Sequence, residues 1–182
     1  MNTNRLSKTL AAALNNQMTK EAHASQIYLS YAAWASEKGY DGIANFLFRH
    51  AEEERNHMIK FLEYILERGA KVHVTAIDAP GADPVSVNDC FEKFYKAEVE
   101  NTEEIYKIVK LSLDEQDWAT WNFIQWFVKE QIEEETLAIN LISKIKIAGG
   151  EHAKDDALYA LDKDVANTGD PKSAETATAV NP

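Results

Sequence analysis

Apolar residues recur every three or four positions through four long stretches of this chain, the spacing of helix faces turned toward a core. The first stretch carries Leu10, Leu14, Met18, Tyr28 and Ala32, and the second Ile43, Leu47, Phe61 and Ile65. The third carries Phe91, Phe94, Ile105 and Val109, and the fourth Ile124, Phe127, Ala138, Leu141 and Ile145. These series predict helices over about Arg5–Glu37, Gly42–Arg68 and Asn88–Asp114. A fourth is predicted from an Asp117 N-cap to a stop at Gly149-Gly150. A shorter helix is expected from His152 to Val165. Together these elements make one domain over 1–166, and 167–182, with no large apolar residue except Val180, reads as a disordered tail.

The connections set the topology. Gly39-Tyr-Asp-Gly42 is a tight link, so the first two helices are antiparallel neighbours, and the equally short link near Asp117 does the same for the third and fourth. The stretch from Ala70 to Val87 differs: it holds Pro80 and Pro84 and has no helical period. Extended, it reaches roughly 60 Å, whereas the second helix is only about 40 Å long. It can therefore run the whole bundle and set the third helix parallel to the second. The fold predicted is all-α: a four-helix bundle with one long crossover and a short fifth helix.

Composition narrows the function classes. The 182 residues are 45% hydrophobic, enough for one sizeable core, and the 7 glycines and 4 prolines are too few for many short strands and turns. A formal charge of −11 opposes general electrostatic binding to nucleic acid or to an anionic membrane and suits cationic ligands. Cys90 is the single cysteine, so neither an internal disulfide nor a Cys-x-x-Cys site can form, and a reducing, cytoplasmic setting is expected. The apolar run Leu10–Leu14 is too short for a signal peptide, and no stretch is long enough to span a membrane.

Candidate chemistry appears where acids interrupt the apolar seams: Glu21 in the first helix, Glu54 with His50 and His57 in the second, Glu98 in the third and Glu134 in the fourth. With the helices antiparallel within each pair and the crossover fixing the register, all four carboxylates and His57 fall near mid-bundle, within about two turns of one another. Isolated core carboxylates cost several kcal/mol each, and no Lys or Arg stands in these seams to pair with them. Carboxylates plus an imidazole suit iron or manganese in a two-metal site. Glu54 and His57, at i and i+3, let one carboxylate bridge two ions while the imidazole takes one. The runs Glu52-Glu53-Glu54 and Glu133-Glu134-Glu135 can place only one residue each in the seam, since consecutive residues point about 100° apart. Read singly, each run is also an ordinary solvated helix face. His50 reads as a hydrogen-bonded core histidine rather than a ligand, the four tryptophans as packing or interface anchors, and Cys90 as a plain helix residue. Tyr28, two turns from Glu21 on one face, is either a core tyrosine or a hydroxyl beside the metals able to give an electron.

Three stretches resemble the bacterial non-haem ferritins: Leu14–Glu21, Arg49-His-Ala-Glu-Glu-Glu-Arg-Asn-His-Met58 and Asn122–Glu135, within a likeness spanning roughly residues 5–165. The resemblance implies a ferritin-like bundle in which Glu21, Glu54 and His57 hold the first ferroxidase iron. Glu54 would bridge to a second iron held by Glu98 and Glu134, with Gln131 close by. Glu53, Glu130 and Glu133 match the carboxylates of a third iron site, and Tyr28 the tyrosine beside the centre. It further implies oxidation of Fe(II) by dioxygen or hydrogen peroxide, storage of Fe(III) as mineral, and a homo-oligomeric cage of 24 subunits with the fifth helix at its four-fold axis. In bacterioferritins and rubrerythrin-like enzymes the fourth helix repeats Glu-x-x-His; here the place reads Gln131-Ile-Glu-Glu134, which implies an asymmetric centre with a more weakly held second iron. Arg55 and Asn56 stand where bacterioferritins carry their haem methionine, so no haem is expected. Two other readings of the seam acids remain open at this point: a di-iron oxidase or peroxidase without storage, and a metal-free structural bundle with protonated or water-satisfied carboxylates.

Overall fold

A computed structural model describes residues 3–168. Five α-helices follow one another: α1 Lys8–Glu37, α2 Asp41–Glu67, α3 Val87–Asp114, α4 Trp118–Ala148 and α5 Asp155–Ala166, with a 3-10 turn at Gly150–His152 before α5. No strand occurs among the described residues. The first helix begins at Lys8 rather than near Arg5. Ser7 is its N-cap, accepting from the Leu10 amide at 3.0 Å, while the Arg5 amide is drawn away to the Arg68 carbonyl at 2.8 Å. The fifth helix begins at Asp155 rather than His152, because Gly149, at φ 117°, ends α4 in a left-handed turn that runs into the 3-10 turn. Asp117 caps α4 as predicted, its Oδ1 accepting from the Thr120 amide at 3.0 Å. Of the expected tail over 167–182, only Asn167 and Thr168 lie within the described residues, where they close α5.

The crossover, residues 68–86, has neither helix nor strand and is held along α1 at every fourth residue. Asn15 donates to the Lys71 carbonyl at 3.1 Å and accepts from the His73 amide at 2.6 Å. Thr19 meets Thr75 at 3.3 Å, and a His23 ring nitrogen lies 3.5 Å from the Ala79 carbonyl. The segment therefore ascends in the direction of α1 and delivers α3 parallel to α2.

The core is split in two. One apolar cluster, around Ile43, Phe46, Phe91, Phe94 and Leu141, fills the end that α5 covers. The other, around Leu10, Leu14, Phe61, Ile65 and Phe127, fills the opposite end. Between them the seams turn polar at Glu21, Glu54, His57, Glu98, Gln131 and Glu134, all of them buried. α5 docks on the start of α2, where Asp162 Oδ1 accepts from the Ile43 amide at 2.9 Å. Gly42 permits this approach, since a Cβ there would lie 2.0 Å from the Asp162 carbonyl oxygen. No described helix is long and apolar enough to cross a membrane.

Candidate metal centre

The polar layer is built by helical spacing. Glu54 and His57 sit one turn apart on the inward face of α2, and Glu21 reaches the same level from α1. The two helices are tied nearby by Ser25, whose hydroxyl donates to the Ala51 carbonyl at 2.5 Å. Glu21, Glu54 and His57 each place one ligating atom so that the three lie within 4.8 Å of one another. Their exposures are 0, 2 and 2%, so water does little to stabilise charge here. Glu54 Oε2 and His57 Nδ1 face each other at 3.5 Å. Neither atom, nor His57 Nε2, has a hydrogen-bond partner among the described residues. Buried polar atoms are ordinarily satisfied. Three left orphaned in one group of carboxylates and imidazole fit a cation between them, which would take their lone pairs.

Glu98 and Glu134 complete the layer from α3 and α4. Tyr28 donates to Glu98 Oε1, and Gln131 Nε2 donates to Glu98 Oε2 at 3.2 Å. Glu98 is thus fixed at both oxygens, although it belongs to none of the three-residue groups below 4.8 Å among the described residues. Two further groups meet that spacing: Glu53 with His57 and Glu130, and His50 with Glu53 and Glu134. Glu133 joins neither and instead pairs with Lys129 at 3.5 Å on the half-exposed face of α4. His50 has the hydrogen-bonded core place expected of it, its Nδ1 donating to the Phe46 carbonyl at 3.0 Å and its ring against Phe46. Its Nε2 also faces Glu134 Oε2 at 3.5 Å, a juxtaposition not foreseen from the sequence. Trp34 is a buried packing residue, but Trp126 lies edge-on to His57 at 5.4 Å with Lys60 over its ring.

The electrostatics follow from burial. Desolvation, then the charge of Glu54, holds the Glu21 carboxyl well above the usual range. Glu54 is raised by desolvation and by Glu98. Glu98 is pushed up to about 7 by desolvation and Glu134, with the hydrogen bonds from Tyr28 and Gln131 pulling the other way. The Tyr28 hydroxyl rises well above 10 by desolvation and by the Glu98 and Glu54 charges, so it stays protonated. For His50, burial lowers the pKa, but the hydrogen bond and charge of Glu134 outweigh it and the net shift is upward. Without a cation the layer favours protons on its carboxylates; a dication would displace them. A surface cavity of about 460 Å³, lined by residues including Glu53, His57, Lys60 and Trp126, adjoins the layer.

Two contributors escaped the sequence reading. Gln17 donates to Glu21 Oε1 at 2.7 Å, and Asn101 lies 3.5 Å from Glu21 Oε2 and 3.3 Å from Gln131 Oε1. Their signal was present as helical spacing, four residues before Glu21 and three after Glu98.

A helical bundle whose four seams converge as carboxylates around His57, with His50 beside Glu134, defines a class: all-α proteins with a cation site in the bundle core. Comparison with known proteins gives the family. The ferritin-like domain pattern matches residues 11–148, and the chain belongs to the ferritin family. It is 39% identical over 162 residues to the bacterial non-heme ferritin of Campylobacter jejuni, covering 89% of this chain and 95% of that protein. It is 37% identical over 162 residues to a probable bacterial non-heme ferritin-like protein of Haemophilus influenzae, covering 89% and 96% of the two chains. Its fold is similar to that of an open-pore ferritin from the hyperthermophilic archaeon Archaeoglobus fulgidus, with a TM-score of 0.86, 32% identity, and coverage of 93% of this chain and 100% of that one.

Proposed function

We propose that the protein oxidises Fe(II) with dioxygen at the mid-bundle layer and stores the Fe(III) as mineral inside a homo-oligomeric cage of 24 subunits in the cytoplasm. The observation that carries this reading is the buried group Glu21–Glu54–His57 with its unsatisfied ligating atoms, repeated by acids from α3 and α4 at the same level. Fe(II) is the substrate. One ion is taken by Glu21, Glu54 and His57, and Glu54 reaches toward a second held by Glu98 and Glu134. The anionic donors stabilise Fe(III) over Fe(II) and so favour electron loss. Each Fe(II) gives one electron, and dioxygen with two protons becomes hydrogen peroxide. A third Fe(II) near Glu53 and Glu130, with an electron from Tyr28, brings the count to four, and with two more protons from solvent the peroxide becomes two waters. The hydroxyl proton of Tyr28 then passes to Glu98, which already accepts its hydrogen bond. Gln131 serves as a donor to Glu98, and Glu133, paired with Lys129, stands at the edge of the route outward.

The test combines stopped-flow oxidation with size-exclusion chromatography monitored for protein and iron. Fast Fe(II) oxidation, and iron far above two per chain co-eluting with a particle of about 490 kDa, are expected; the chain mass is 20.5 kDa. Glu54→Ala with His57→Ala should abolish the fast phase, and retention of wild-type rates would overturn the assignment. About two irons per chain on a small oligomer would make the protein a di-iron oxidase without storage.

A further inference from the structure

Asn101 occupies a place that neither an apolar seam nor a carboxylate pattern singles out. It lies three residues after Glu98 on α3, partly buried, and its side chain touches both halves of the polar layer. Its Oδ1 accepts from Gln17 Nε2 at 2.5 Å. Its Nδ2 donates to Gln131 Oε1 at 3.3 Å and, more weakly, to Glu21 Oε2 at 3.5 Å. Gln17 also donates to Glu21 Oε1 at 2.7 Å, and Gln131 Nε2 donates to Glu98 Oε2 at 3.2 Å.

The polarity of this chain is determined by its ends. An amide has a donor end and an acceptor end, whereas a carboxylate that a dication has freed of its proton only accepts. Glu21 turns the NH2 of Gln17 toward itself, and the second N–H of Gln17 then requires an acceptor, which Asn101 Oδ1 supplies. With its oxygen so placed, Asn101 must point its NH2 at Gln131 Oε1. Gln131 must in turn present its own NH2 to Glu98. Three amides in series thus run from the carboxylate of the first ion site to a carboxylate of the second, and Asn101 is the link whose loss separates them.

We propose that Asn101 is a positioning residue of the metal centre: it couples the Glu21 side to the Glu98 side and, by donating to Gln131 Oε1, holds that oxygen away from an ion while Nε2 donates to the Glu98 carbonyl and carboxylate and to Thr102. This rests on the reading of the centre given above. Outer partners of metal ligands typically contribute about 10–100-fold to affinity. Without Asn101, Gln131 Oε1 loses its donor and only the Nε2 contacts, to Glu98 and to Thr102 at 3.3 Å, still orient the amide, while Glu21 loses one donor directly and Gln17 loses its acceptor.

The experiment uses the full chain, chelator-treated, with Co(II) as the probe. Isothermal titration gives the two stepwise affinities, the d–d absorption reports coordination, and melting of the metal-free protein reports the fold. Asn101→Leu keeps the branched shape at a somewhat larger volume and removes all the side-chain hydrogen bonds. It should still bind two Co(II) per chain, but about tenfold more weakly, with altered d–d bands and a metal-free melting temperature close to wild type. Combined with Gln131→Leu, the loss should be smaller than the sum of the two single losses, because part of the Asn101 effect passes through Gln131. Wild-type affinities and spectrum in Asn101→Leu, or strictly additive losses in the double variant, would overturn the proposal. Should Asn101→Leu fail to fold, Asn101→Ser, too short to reach Gln131, must show the same weakening or the proposal falls. Failure of the unmutated chain to bind Co(II) overturns the centre itself, and is distinguished by needing no variant to reveal it.

Discussion

Replacing Glu98 by Gln should make the metal-free protein more stable at pH 8 and the metal-loaded protein less so. Glu98 is 2% exposed, and its carboxyl is pushed up to about 7 from 4.5, by burial first and the Glu134 charge second. Because the folded state holds this proton more tightly than the unfolded chain, the stability it confers is fully present below pH 4.5 and is lost as pH rises through about 7. The gap in pKa corresponds to about 3 kcal/mol of destabilisation at pH 8. An amide cannot ionise, so Glu98→Gln escapes that loss. It incurs about 1 kcal/mol instead, since its new N–H end must face either Tyr28 or Gln131, both of which donate to Glu98. A net gain of about 2 kcal/mol remains, or about 4–8 °C in melting temperature for a chain of this size. Calorimetry of chelator-treated protein at pH 5 and pH 8 measures it: the variant should match wild type at pH 5 and melt higher at pH 8. Adding a divalent cation should reverse the order at pH 8, because binding at a hundredfold excess over Kd stabilises by about 2.7 kcal/mol and the variant has lost a ligand. A variant that melts no higher than wild type at pH 8, or one whose advantage is equal at both pH values, would refute the view that a repelled, desolvated carboxylate sits at this position.

Two further perturbations separate chemistry from packing. Tyr28→Phe keeps the ring contact with Phe94, 4.9 Å between centroids, but removes the donor to Glu98; oxidation should persist with more hydrogen peroxide released per dioxygen consumed, and an unchanged peroxide yield would remove Tyr28 from the electron count. Gly42→Ala, a change that in an ordinary helix gains about 1 kcal/mol, should here cost about 1–3 kcal/mol, because the new methyl would meet the Asp162 carbonyl at 2.0 Å. Limited proteolysis should then cut near α5 first, and a melting temperature above wild type would show that α5 does not need this approach.

Much of the fold was legible because each part of it is a local consequence of spacing. Leu10, Leu14 and Met18 fall on one helix face by arithmetic alone, and Asp117 and Gly149 mark helix ends by chemistry that acts within a single turn. The errors at Arg5 and His152 have the opposite character. Arg5 fits the helical period, but its amide is taken by Arg68, more than sixty residues away, and no local pattern records that competition. The level of Glu21, Glu54, Glu98 and Glu134 could be anticipated because antiparallel helices joined by short links share a register, so height in the bundle is countable from the turns. That Glu133 turns to Lys129 while Glu130 is buried beside His57 and Glu53 was not countable, since Glu130 and Glu133 lie one turn apart on α4 and only the packed helix decides which face each occupies.

Gln17 and Asn101 show the deeper limit. A carboxylate in an apolar seam is conspicuous because its burial is costly without a partner. A neutral amide carries no such flag, and its contribution depends on which of its two ends faces which neighbour. That orientation is a property of the assembled layer: it passes from Glu21 through Gln17, Asn101 and Gln131 to Glu98, across three helices. The residues that would hold a cation can therefore be found from charge and period, whereas those that orient them follow only from the closed set of donors and acceptors. The same reasoning gives the centre its asymmetry. On the Glu21 side the imidazole of His57 and two carboxylates converge within 4.8 Å, whereas on the Glu98 side an amide donor stands beside the carboxylate. An amide donor at Gln131 repels a cation that a ligand in its place would have bound, so an ion on the Glu98 side should be held more loosely and pass onward more readily.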